Sequence, residues 1–418
     1  MKSMSIEIPD PKTLLQHVDI APYGDDIPVS SNDGFHRGGA FRISSVLPAI
    51  SSALGHPVQT SIHHDPKKLQ EALGFPSCTS AIVVLVDGMG FWNIATRSGH
   101  APYLRSLMHE SANARPISTC LSSTTVVALA SFGTGTCPGM TAMTGYTQLN
   151  PCKHRISQMI QFRNAIPPLE LQREPTVFER LSEEGVRVTS SGLPEFADSA
   201  LTQAALRGSS YIGREDAEER VLEACKAARK PGLTYLYIRD VDKAGHEFGW
   251  ESESWIAEFE TVDAQLALLH RNAPKGTLIV IVADHGMIET DPDQRIDMAQ
   301  NPELLEGVKF YGGEPRFVMA YADEHVEPES IAERWRSELS GLGGSAEVLT
   351  KQEGIDAGMF GPVKPDVEPM IGDVLAIMHD RATLVDSRVQ RDGATRLPGV
   401  HGSKSMMESD IPCLMDLV

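Results

Sequence analysis

The apolar positions of this chain fall into continuous runs, and four of these runs end in glycine or an acidic residue. The four are "AIVVLVDGMG" at 81–90, "GVRVTSSGLP" at 185–194, "LTYLYIRD" at 233–240 and "TLIVIVADHG" at 277–286. Runs of this length without alternation are typical of strands buried on both faces, as in a parallel sheet. Helical periodicity lies between or beside them, at 100–110, 124–133, 174–184, 214–229 and 251–272. The pattern predicts an α/β fold with a largely parallel central sheet covered by helices on both faces.

Changes in this pattern divide the chain into four expected regions. Residues 1–78 precede the first apolar run and are expected to form an N-terminal extension that packs on the core. The core is expected to occupy 79–305 and to resume at 371–418, where "GDVLAIMHD" is apolar enough for a returning strand. Between these parts, 306–370 alternates short strand-like and helix-like stretches, which predicts a small α/β insertion or cap.

Composition limits the partners and the compartment. The 418 residues carry a formal net charge of −19, which argues against a surface for nucleic acid or anionic lipid, since both need basic patches. The N-terminus lacks the features of a secretory signal, and the longest apolar runs are too short to span a bilayer. Six cysteines without a CxxC pair are typical of reduced thiols. We therefore expect a cytoplasmic protein. Oligomeric state has no signal in the sequence.

Acids and histidines follow the expected strands in four Gly-flanked stretches. They are "VLVDGMG" with Asp87, "DVDKAGHEFG" with Asp242 and His246, "VADHGM" with Asp284 and His285, and "PGVHGS" with His401. Taken singly, Asp87 could cap a helix and His401 could be an ordinary core or surface residue. Together they suit a borderline divalent ion such as zinc, and three acids with three histidines suit two ions better than one. Paired metal ions are typical of displacement at phosphorus, which makes phosphoryl transfer the leading reaction class.

Two choices stay open from spacing alone. In "YIRDVDKAGHEFG", Asp240 lies at the strand end and Asp242 lies four residues before His246. Residues i and i+4 share one face of a helix, which favours Asp242 as the partner of His246 and makes Asp240 a supporting or capping residue. In "SSTT" at 122–125, one hydroxyl should stand at a helix N-terminus, either as a nucleophile or as a plain N-cap.

In combination, these motifs resemble the alkaline phosphatase superfamily, and more specifically its nucleotide pyrophosphatase/phosphodiesterase-like branch. The matching features are the Asp-Gly at 87–88, the Ser/Thr-rich stretch followed by Thr-Gly and Pro-Gly, the Asp-x-x-x-Gly-His-type element, Asp-His-Gly, and the late His-Gly. The resemblance covers roughly 79–300 and 370–410. It implies an alkaline-phosphatase-like fold around a two-metal centre.

The resemblance also implies specific roles. One zinc ion would be held by Asp242, His246 and His401, and a second by Asp87, Asp284 and His285, which would also touch the nucleophile. The family spacing back from Thr134 and Gly135 selects Thr125 as nucleophile and metal-contacting hydroxyl, with Thr124 as the fallback. The implied reaction is a two-step hydrolysis of a small-molecule phosphate ester or nucleotide through a phospho-threonine intermediate.

One departure from the family leaves the substrate open. The diesterases often carry a Pro-Asn-aromatic run after the nucleophile, whereas this chain has "VVALAS" at 126–131. Tyr146 and Arg155 are candidate substitutes for the missing Asn contact, and Arg316 could bind substrate or merely pack. A phosphodiesterase or nucleotide pyrophosphatase is therefore expected, with a phosphomonoesterase, phosphonate hydrolase or phosphomutase as the alternative. A non-catalytic binding protein is a remote alternative, because none of the six ligands is missing.

Overall fold

The computed structural model describes residues 6–342 and 346–418. In chain order, the strands are β1 (Ser80–Val86), β2 (Ile117–Ser118), β3 (Thr147–Asn150), β4 (Arg155–Gln158), β5 (Val188–Gly192), β6 (Ser210–Gly213), β7 (Gly232–Ile238), β8 (Thr277–Val282), β9 (Ile288–Glu289), β10 (Arg295–Asp297), β11 (Val308–Glu314), β12 (Phe317–Ala322), β13 (Ala346–Thr350), β14 (Val374–Met378), β15 (Thr383–Val385), β16 (Gly399–Val400), β17 (Asp410–Ile411) and β18 (Cys413–Leu417).

The α-helices are α1 (Pro11–Leu14), α2 (Ile43–Ala53), α3 (Pro66–Leu73), α4 (Phe91–Thr96), α5 (Pro102–Met108), α6 (Thr125–Thr134), α7 (Pro138–Thr141), α8 (Pro168–Leu171), α9 (Val177–Glu183), α10 (Ala200–Ala205), α11 (Ala217–Ala227), α12 (Asp240–Phe248), α13 (Glu253–Asn272), α14 (Pro328–Gly341), α15 (Lys351–Asp356) and α16 (Met406–Ser409).

A six-stranded sheet forms the centre of the molecule, in the order β18-β8-β1-β7-β5-β6. Five of its strands are parallel, and β18 pairs antiparallel with β8 at one edge. Every residue of β1, β5 and β8 is buried, as expected for strands covered on both faces. Helices α11 and α9 contact this sheet, and α13 and α6 pack against them, respectively. The predicted α/β fold with a largely parallel central sheet is confirmed.

The topology brings three strand ends to one place. Strands β8, β1 and β7 are neighbours and run parallel, so their carboxyl ends lie side by side at one edge of the sheet. Ligands bind at this edge in open α/β sheets, because the loops that follow the strands converge there. The residues just beyond these three ends are the Asp and His residues singled out in the sequence.

The N-terminal region contributes to the main core through α2. This helix packs against α3 and α6, and ten of its eleven residues are buried. Its apolar side chains, including Ile43, Leu47 and Ile50, belong to the same buried cluster as the strands of the large sheet. The core therefore extends beyond the expected limit at residue 79.

A second sheet of four antiparallel strands lies in the order β11-β12-β14-β13. Helix α14 packs on it and buries Ile331 and Trp335 in a separate apolar cluster. The expected return to the core at 371 is wrong for β14, because this strand pairs with β12 and β13 of the small sheet. Its five residues are apolar and fully buried, as in the core strands, so only pairing distinguishes them. The small sheet therefore uses residues on both sides of 370.

Two further observations concern the whole chain. All six cysteines are free thiols. Within 6–342 and 346–418, no helix combines the length and apolar character needed to cross a membrane.

Candidate metal centre

Four side chains meet at the carboxyl edge of the large sheet and form what we call the inner cluster: Asp87, Thr125, Asp284 and His285. The His285 Nε2 atom lies 3.5 Å from an oxygen of Asp87 and 3.5 Å from an oxygen of Asp284. The Thr125 Oγ1 atom lies 3.2 Å from the same nitrogen and 3.4 Å from Asp87 Oδ1. Ligand atoms around a tetrahedral zinc ion, with bonds of about 2.0–2.2 Å, are separated by about 3.3–3.6 Å. The inner cluster therefore has the spacing of a ligand set.

Neighbouring groups turn the inner carboxylates toward one point. Asp284 Oδ1 accepts hydrogen bonds from the backbone N–H groups of Gly88 and His285, both at 3.1 Å. Its other oxygen, Oδ2, is buried and has no hydrogen-bond partner. Tyr237 donates its hydroxyl to Asp87 Oδ2, which leaves Asp87 Oδ1 facing Thr125 and His285. A buried carboxylate oxygen without a partner is costly, and a bound cation would remove that cost.

Three more side chains form what we call the outer cluster: Asp242, His246 and His401. Asp242 and His246 lie four residues apart on α12, and His401 directly follows β16. His246 Nε2 lies 3.5 Å from Asp242 Oδ1 and 3.2 Å from His401 Nε2, and His401 Nε2 lies 3.8 Å from Asp242 Oδ1. Asp242 Oδ1 is buried and has no hydrogen-bond partner, as at the inner cluster.

The two clusters adjoin each other through stacked imidazoles. The rings of His285 and His401 are parallel within 20°, with centroids 3.6 Å apart. Ligand atoms of Asp242, His285 and His401 all lie within 4.8 Å of one another, and so do those of Asp87, Asp284 and His285. These are two candidate metal groups that share His285, which is consistent with a bimetallic centre.

Backbone carbonyls fix the tautomer of each histidine. The Nδ1 atoms of His246, His285 and His401 contact carbonyl oxygens of Gly399, Gly286 and Ser123 at 2.8, 3.0 and 2.8 Å. A carbonyl only accepts hydrogen bonds, so each Nδ1 carries the proton and donates it. Each Nε2 lone pair is then free to face its cluster. Metal-binding histidines in proteins show this arrangement.

The charge balance of the centre also favours a cation. Burial, and then the neighbouring Asp284 and Asp242 carboxylates, raise the pKa of Asp87 well above its ordinary value. Burial raises the pKa of Asp284 to about 7. Burial and the two neighbouring imidazoles lower the pKa of His401 well below its ordinary value. Each shift favours the neutral form of its group, chiefly because burial removes the charge from water. A divalent ion would supply positive charge to these groups.

The structure distinguishes the two threonines of "SSTT". Thr125 is the first residue of α6, and its hydroxyl belongs to the inner cluster. Thr124 is the N-cap residue, its side chain makes no capping hydrogen bond, and its Oγ1 is buried without a partner. The Thr125 oxygen therefore lies at a helix N-terminus beside a candidate metal group, a position that favours a negatively charged oxygen.

Other residues from the sequence analysis lie outside the two clusters. Asp240 is the first residue of α12, and its Oδ2 lies 3.8 Å from Arg220 Nη2. Arg316 is fully buried and makes a two-point contact with Glu408 at 3.1 and 2.8 Å, so it packs rather than faces a ligand. Tyr146 lines the cleft described next, whereas Arg155 lies on an exposed position of β4 and does not.

A cleft of about 1530 Å³ opens onto both clusters. It runs between loops of the large sheet and strand β11 of the small sheet. Aromatic side chains line much of it, namely Tyr146, Phe196, Tyr211, Tyr235, Tyr237, Phe310 and Tyr311. Basic side chains also line it, including Arg239 and Lys243 of the segment that carries Asp242. The cleft can hold an organic molecule much larger than a phosphate group.

Sequence reasoning missed two residues at this centre. Tyr237 is the penultimate residue of β7, and its hydroxyl contacts Asp87. Alternation along β7 would have placed the Tyr237 side chain on the same face as that of Tyr235. Its contact with Asp87, which follows β1, could be found only once β1 was known to lie beside β7. Glu314 is the last residue of β11, and its carboxylate lies 3.5 Å from His401 Nδ1. It comes from the region expected to be an insertion, for which the sequence analysis offered only Arg316 as a possible substrate contact.

Comparison with known families gives one match over most of the chain. Residues 81–404 match the sequence model of the family described as type I phosphodiesterase / nucleotide pyrophosphatase. The venom phosphodiesterase of Crotalus durissus collilineatus is 30% identical over 109 residues, which cover 24% of this chain and 13% of that enzyme. A phosphopentomutase of Rhizobium johnstonii is 31% identical over 124 residues, covering 29% of this chain and 28% of that protein. This chain thus matches only a small part of either relative.

Solved structures show the same fold at low identity. Murine ectonucleotide pyrophosphatase / phosphodiesterase 5, as an inactive variant in complex with AMP, matches with a TM-score of 0.62 and 15% identity. The match covers 81% of this chain and 87% of that one. Phosphonoacetate hydrolase from Sinorhizobium meliloti, in complex with phosphonoformate, matches with a TM-score of 0.61 and 20% identity over 81% and 90% of the two chains.

Proposed function

The chain belongs to the type I phosphodiesterase / nucleotide pyrophosphatase family, and we propose that it is a two-metal hydrolase of phosphate diesters or nucleotides that uses Thr125 as its nucleophile. The observation that carries this proposal is the position of the Thr125 hydroxyl. It lies within 3.4 Å of two atoms of a candidate metal group, at the N-terminus of α6, and it lines the cleft. A threonine that only capped the helix would not need its hydroxyl beside Asp87 and His285.

The proposed ions are zinc, and the two clusters would hold one each. Aspartate oxygens and imidazole nitrogens at tetrahedral spacing are the donors that zinc prefers. When bound, the two ions would lower the pKa of the threonine hydroxyl and neutralise charge on the phosphoryl group. Asp87, Asp284 and His285 would hold the ion next to Thr125, and Asp242, His246 and His401 would hold the other.

The chain's own residues supply the nucleophile and its orientation. In the proposed first step, Thr125 Oγ1 forms a bond to phosphorus while the bond from phosphorus to the leaving oxygen breaks, giving phospho-threonine and a free alcohol or phosphate. In the second step, the oxygen of water forms a bond to phosphorus while the bond from phosphorus to Thr125 Oγ1 breaks. This releases the phosphoryl group as a phosphate monoester or phosphate and regenerates the hydroxyl with a proton from that water. Tyr237 keeps Asp87 Oδ1 directed at Thr125, and the first turn of α6 presents backbone N–H groups to the anion.

The shape of the cleft supports a substrate with an organic group on both sides of phosphorus or a nucleotide. Its volume of about 1530 Å³ exceeds what a simple monoester needs, and aromatic walls such as Phe196 and Tyr211 suit a flat ring. The murine structure of the same fold contains AMP. Six free cysteines are consistent with a reducing compartment, so the proposal includes a cytoplasmic location.

A second candidate is supported by two of the comparisons. A phosphonoacetate hydrolase shares the fold, and a phosphopentomutase is similar over part of the chain. Phosphonate hydrolysis, monoester hydrolysis or a phosphomutase reaction would use the same two metal groups and change only the groups that line the cleft. Because this chain lacks the Pro-Asn-aromatic run of the diesterases, the groups that line the cleft have to distinguish these reactions.

One experiment tests the function and separates the candidates. Metal-free protein is reconstituted with zinc, and kcat/KM is measured on bis-p-nitrophenyl phosphate, on p-nitrophenyl phosphate and on phosphonoacetate. We expect activity to depend on zinc and to be highest on the diester. A strong preference for the monoester or the phosphonate would replace the proposed substrate class, and failure to bind zinc would refute the two-metal centre itself.

A further inference from the structure

The small sheet reaches the candidate metal centre through one side chain, Glu314. This residue ends β11, and its side chain is only 6% exposed. Its Oε2 atom lies 3.5 Å from His401 Nδ1, on the side of the ring that faces away from the outer cluster. Its Oε1 atom is buried and has no hydrogen-bond partner. Among the described residues, no lysine or arginine lies within 4 Å of this carboxylate.

A buried carboxylate without a basic partner is costly unless something nearby is positively polarised. The side-chain hydroxyls of Ser122 and Thr124 lie near the Glu314 carboxylate and favour its ionised form. Its contact with the outer cluster is electrostatic, through the Nδ1–H group of His401, which donates its hydrogen bond to the carbonyl of Ser123 at 2.8 Å. Such a contact becomes stronger when the ring binds a cation through its other nitrogen.

The backbone around His401 is built to let Glu314 approach. Gly402 has a φ of +132°, and a Cβ atom there would lie 2.7 Å from Glu314 Cγ. Two residues along from Glu314, Arg316 binds Glu408, and Glu408 Oε1 accepts a hydrogen bond from the backbone N–H of Ser403 at 2.9 Å. The turn after β11 therefore contacts the loop that carries His401 at two points.

We infer that Glu314 is a positioning residue for His401: its carboxylate holds the imidazole with Nε2 directed into the outer cluster, and so couples the small sheet to metal binding at that cluster. The inference rests on the proposed function only in taking His401 as a metal ligand. Glu314 lines the cleft, and we assign its effect to His401 because the His401 Nδ1 atom, at 3.5 Å, is its contact with the outer cluster. Outer-sphere partners of this kind contribute about 10- to 100-fold to metal affinity or activity.

The test measures zinc affinity directly, by competing metal-free protein against a chelating dye. Glu314→Leu fills a similar volume without an acceptor, and Glu314→Gln keeps the shape and one acceptor oxygen. We expect Glu314→Leu to weaken one of the two zinc sites by about 10- to 100-fold and Glu314→Gln to weaken the same site by less. The matched control is Asp373→Asn at the start of β14, whose carboxylate contacts Lys351 and the Ala322 N–H on the same sheet and does not touch His401.

A double variant separates positioning from general destabilisation. His401→Ala should weaken the same zinc site, and adding Glu314→Leu to it should cause no further loss, because the effect passes through the imidazole. Wild-type affinity at both sites in Glu314→Leu would overturn the inference, and so would additive losses in the double variant. If Glu314→Leu does not fold, Glu314→Gln carries the same comparison. Absence of zinc binding by the unaltered protein would instead refute the proposed function.

Discussion

The inner and outer clusters contain similar residues, but they are built in different ways. The inner side chains of Asp87, Asp284 and His285 are 6%, 0% and 0% exposed, whereas those of Asp242, His246 and His401 are 17%, 30% and 7% exposed. The inner acids directly follow β1 and β8, which are paired neighbours in the large sheet. The outer residues lie on a helix and on a loop close to the end of the described chain.

The two clusters suit different roles: the inner cluster is the more rigid, and the outer cluster is the more open to exchange of a bound ion. Strand ends in a buried sheet move little, so the inner cluster would keep the proposed nucleophile, Thr125, in a fixed position relative to its carboxylates. The outer cluster is open to the cleft through His246 and is held by backbone carbonyls and by contact with the small sheet. We therefore expect substitutions in the inner cluster to affect chemistry most, and those in the outer cluster to affect metal retention first.

Thr125→Ala should have the largest effect on activity. Removing the nucleophile should lower kcat by about 10⁴-fold or more, while about two equivalents of zinc stay bound. The matched control is Thr124→Ala, the neighbouring threonine outside the inner cluster, which should lower kcat by less than about tenfold. The measurements are steady-state rates on the diester and metal analysis of the purified proteins. Full activity in Thr125→Ala would move the nucleophile to another residue.

Ligand substitutions should separate the two clusters. Asp284→Asn should remove one zinc equivalent and lower kcat by about 10³-fold, because a metal ion contributes several kcal/mol to the transition state and each 1.36 kcal/mol is tenfold. His246→Ala should lower kcat by only about 10²-fold, because water can replace a ligand at this more exposed position. Metal content after desalting and kcat at saturating zinc are the readouts. The proposed difference between the two clusters would be contradicted if both variants lost the same amount of activity and added zinc fully restored it in both.

Tyr237→Phe tests the support of the inner cluster. The substitution removes the hydroxyl that holds Asp87 and should lower activity by about tenfold, with weaker binding of the inner zinc ion. Tyr235 offers a close control on the same strand, since its hydroxyl is buried without a hydrogen-bond partner. Tyr235→Phe should leave activity unchanged and the stability equal or slightly higher. If both variants behave alike, the Tyr237 contact has no role in holding Asp87.

The smallest predicted effect concerns pH and stability in the metal-free protein. The pKa of Asp284 is raised to about 7 and that of Asp87 is raised well above its ordinary value, so both acids are protonated in the folded state where they would ionise in the unfolded state. At these two acids the folded protein binds more protons than the unfolded chain, so their contribution to the free energy of unfolding should fall as pH rises from about 4 to 7, whereas His401, whose pKa is lowered, contributes in the opposite direction.

With a chelator present, the Tm of the unaltered protein should therefore fall relative to that of Asp284→Asn as pH rises from 5 to 7, because the substituted side chain does not titrate. Histidines whose pKa is lowered, such as His401 and His379, are present in both proteins and act on both. Zinc should raise the Tm of the unaltered protein at pH 7, because it binds only the folded state. A Tm difference between the two proteins that does not change with pH would contradict the charge balance described for the inner cluster.

The sequence was sufficient for the parts of the fold that depend on local pattern. Apolar runs at 81–90 and 277–286 correspond to β1 and β8, and the expected helix at 251–272 corresponds to α13. The site residues could be grouped because parallel strands end at one edge, so acids after three such strands had to lie close together. The family prediction is confirmed by the match over 81–404, while the roles of the individual residues stay predictions.

The remainder depends on contacts between distant segments. The run "VLAIM" at 374–378 is as apolar as a core strand, yet it pairs with β12 and β13, because sheet membership is decided by partners that the run itself does not encode. The same limit applies to Glu314, because its contact with His401 joins two segments that are far apart in the sequence. From the sequence, Tyr237 is an ordinary aromatic residue of a strand, and its position near Asp87 follows only from the pairing of β7 with β1.

The arrival of His401 from a late part of the chain has a consequence for biosynthesis. All four members of the inner cluster have been translated once residue 285 is made, whereas the outer cluster has to wait for residue 401. At about 5–20 residues per second, more than a hundred further residues take roughly 6 to 23 seconds. During that interval a nascent chain would contain the inner cluster but not the complete outer cluster. The proposed activity would therefore be delayed until the loop that β16 leads into has been released from the exit tunnel.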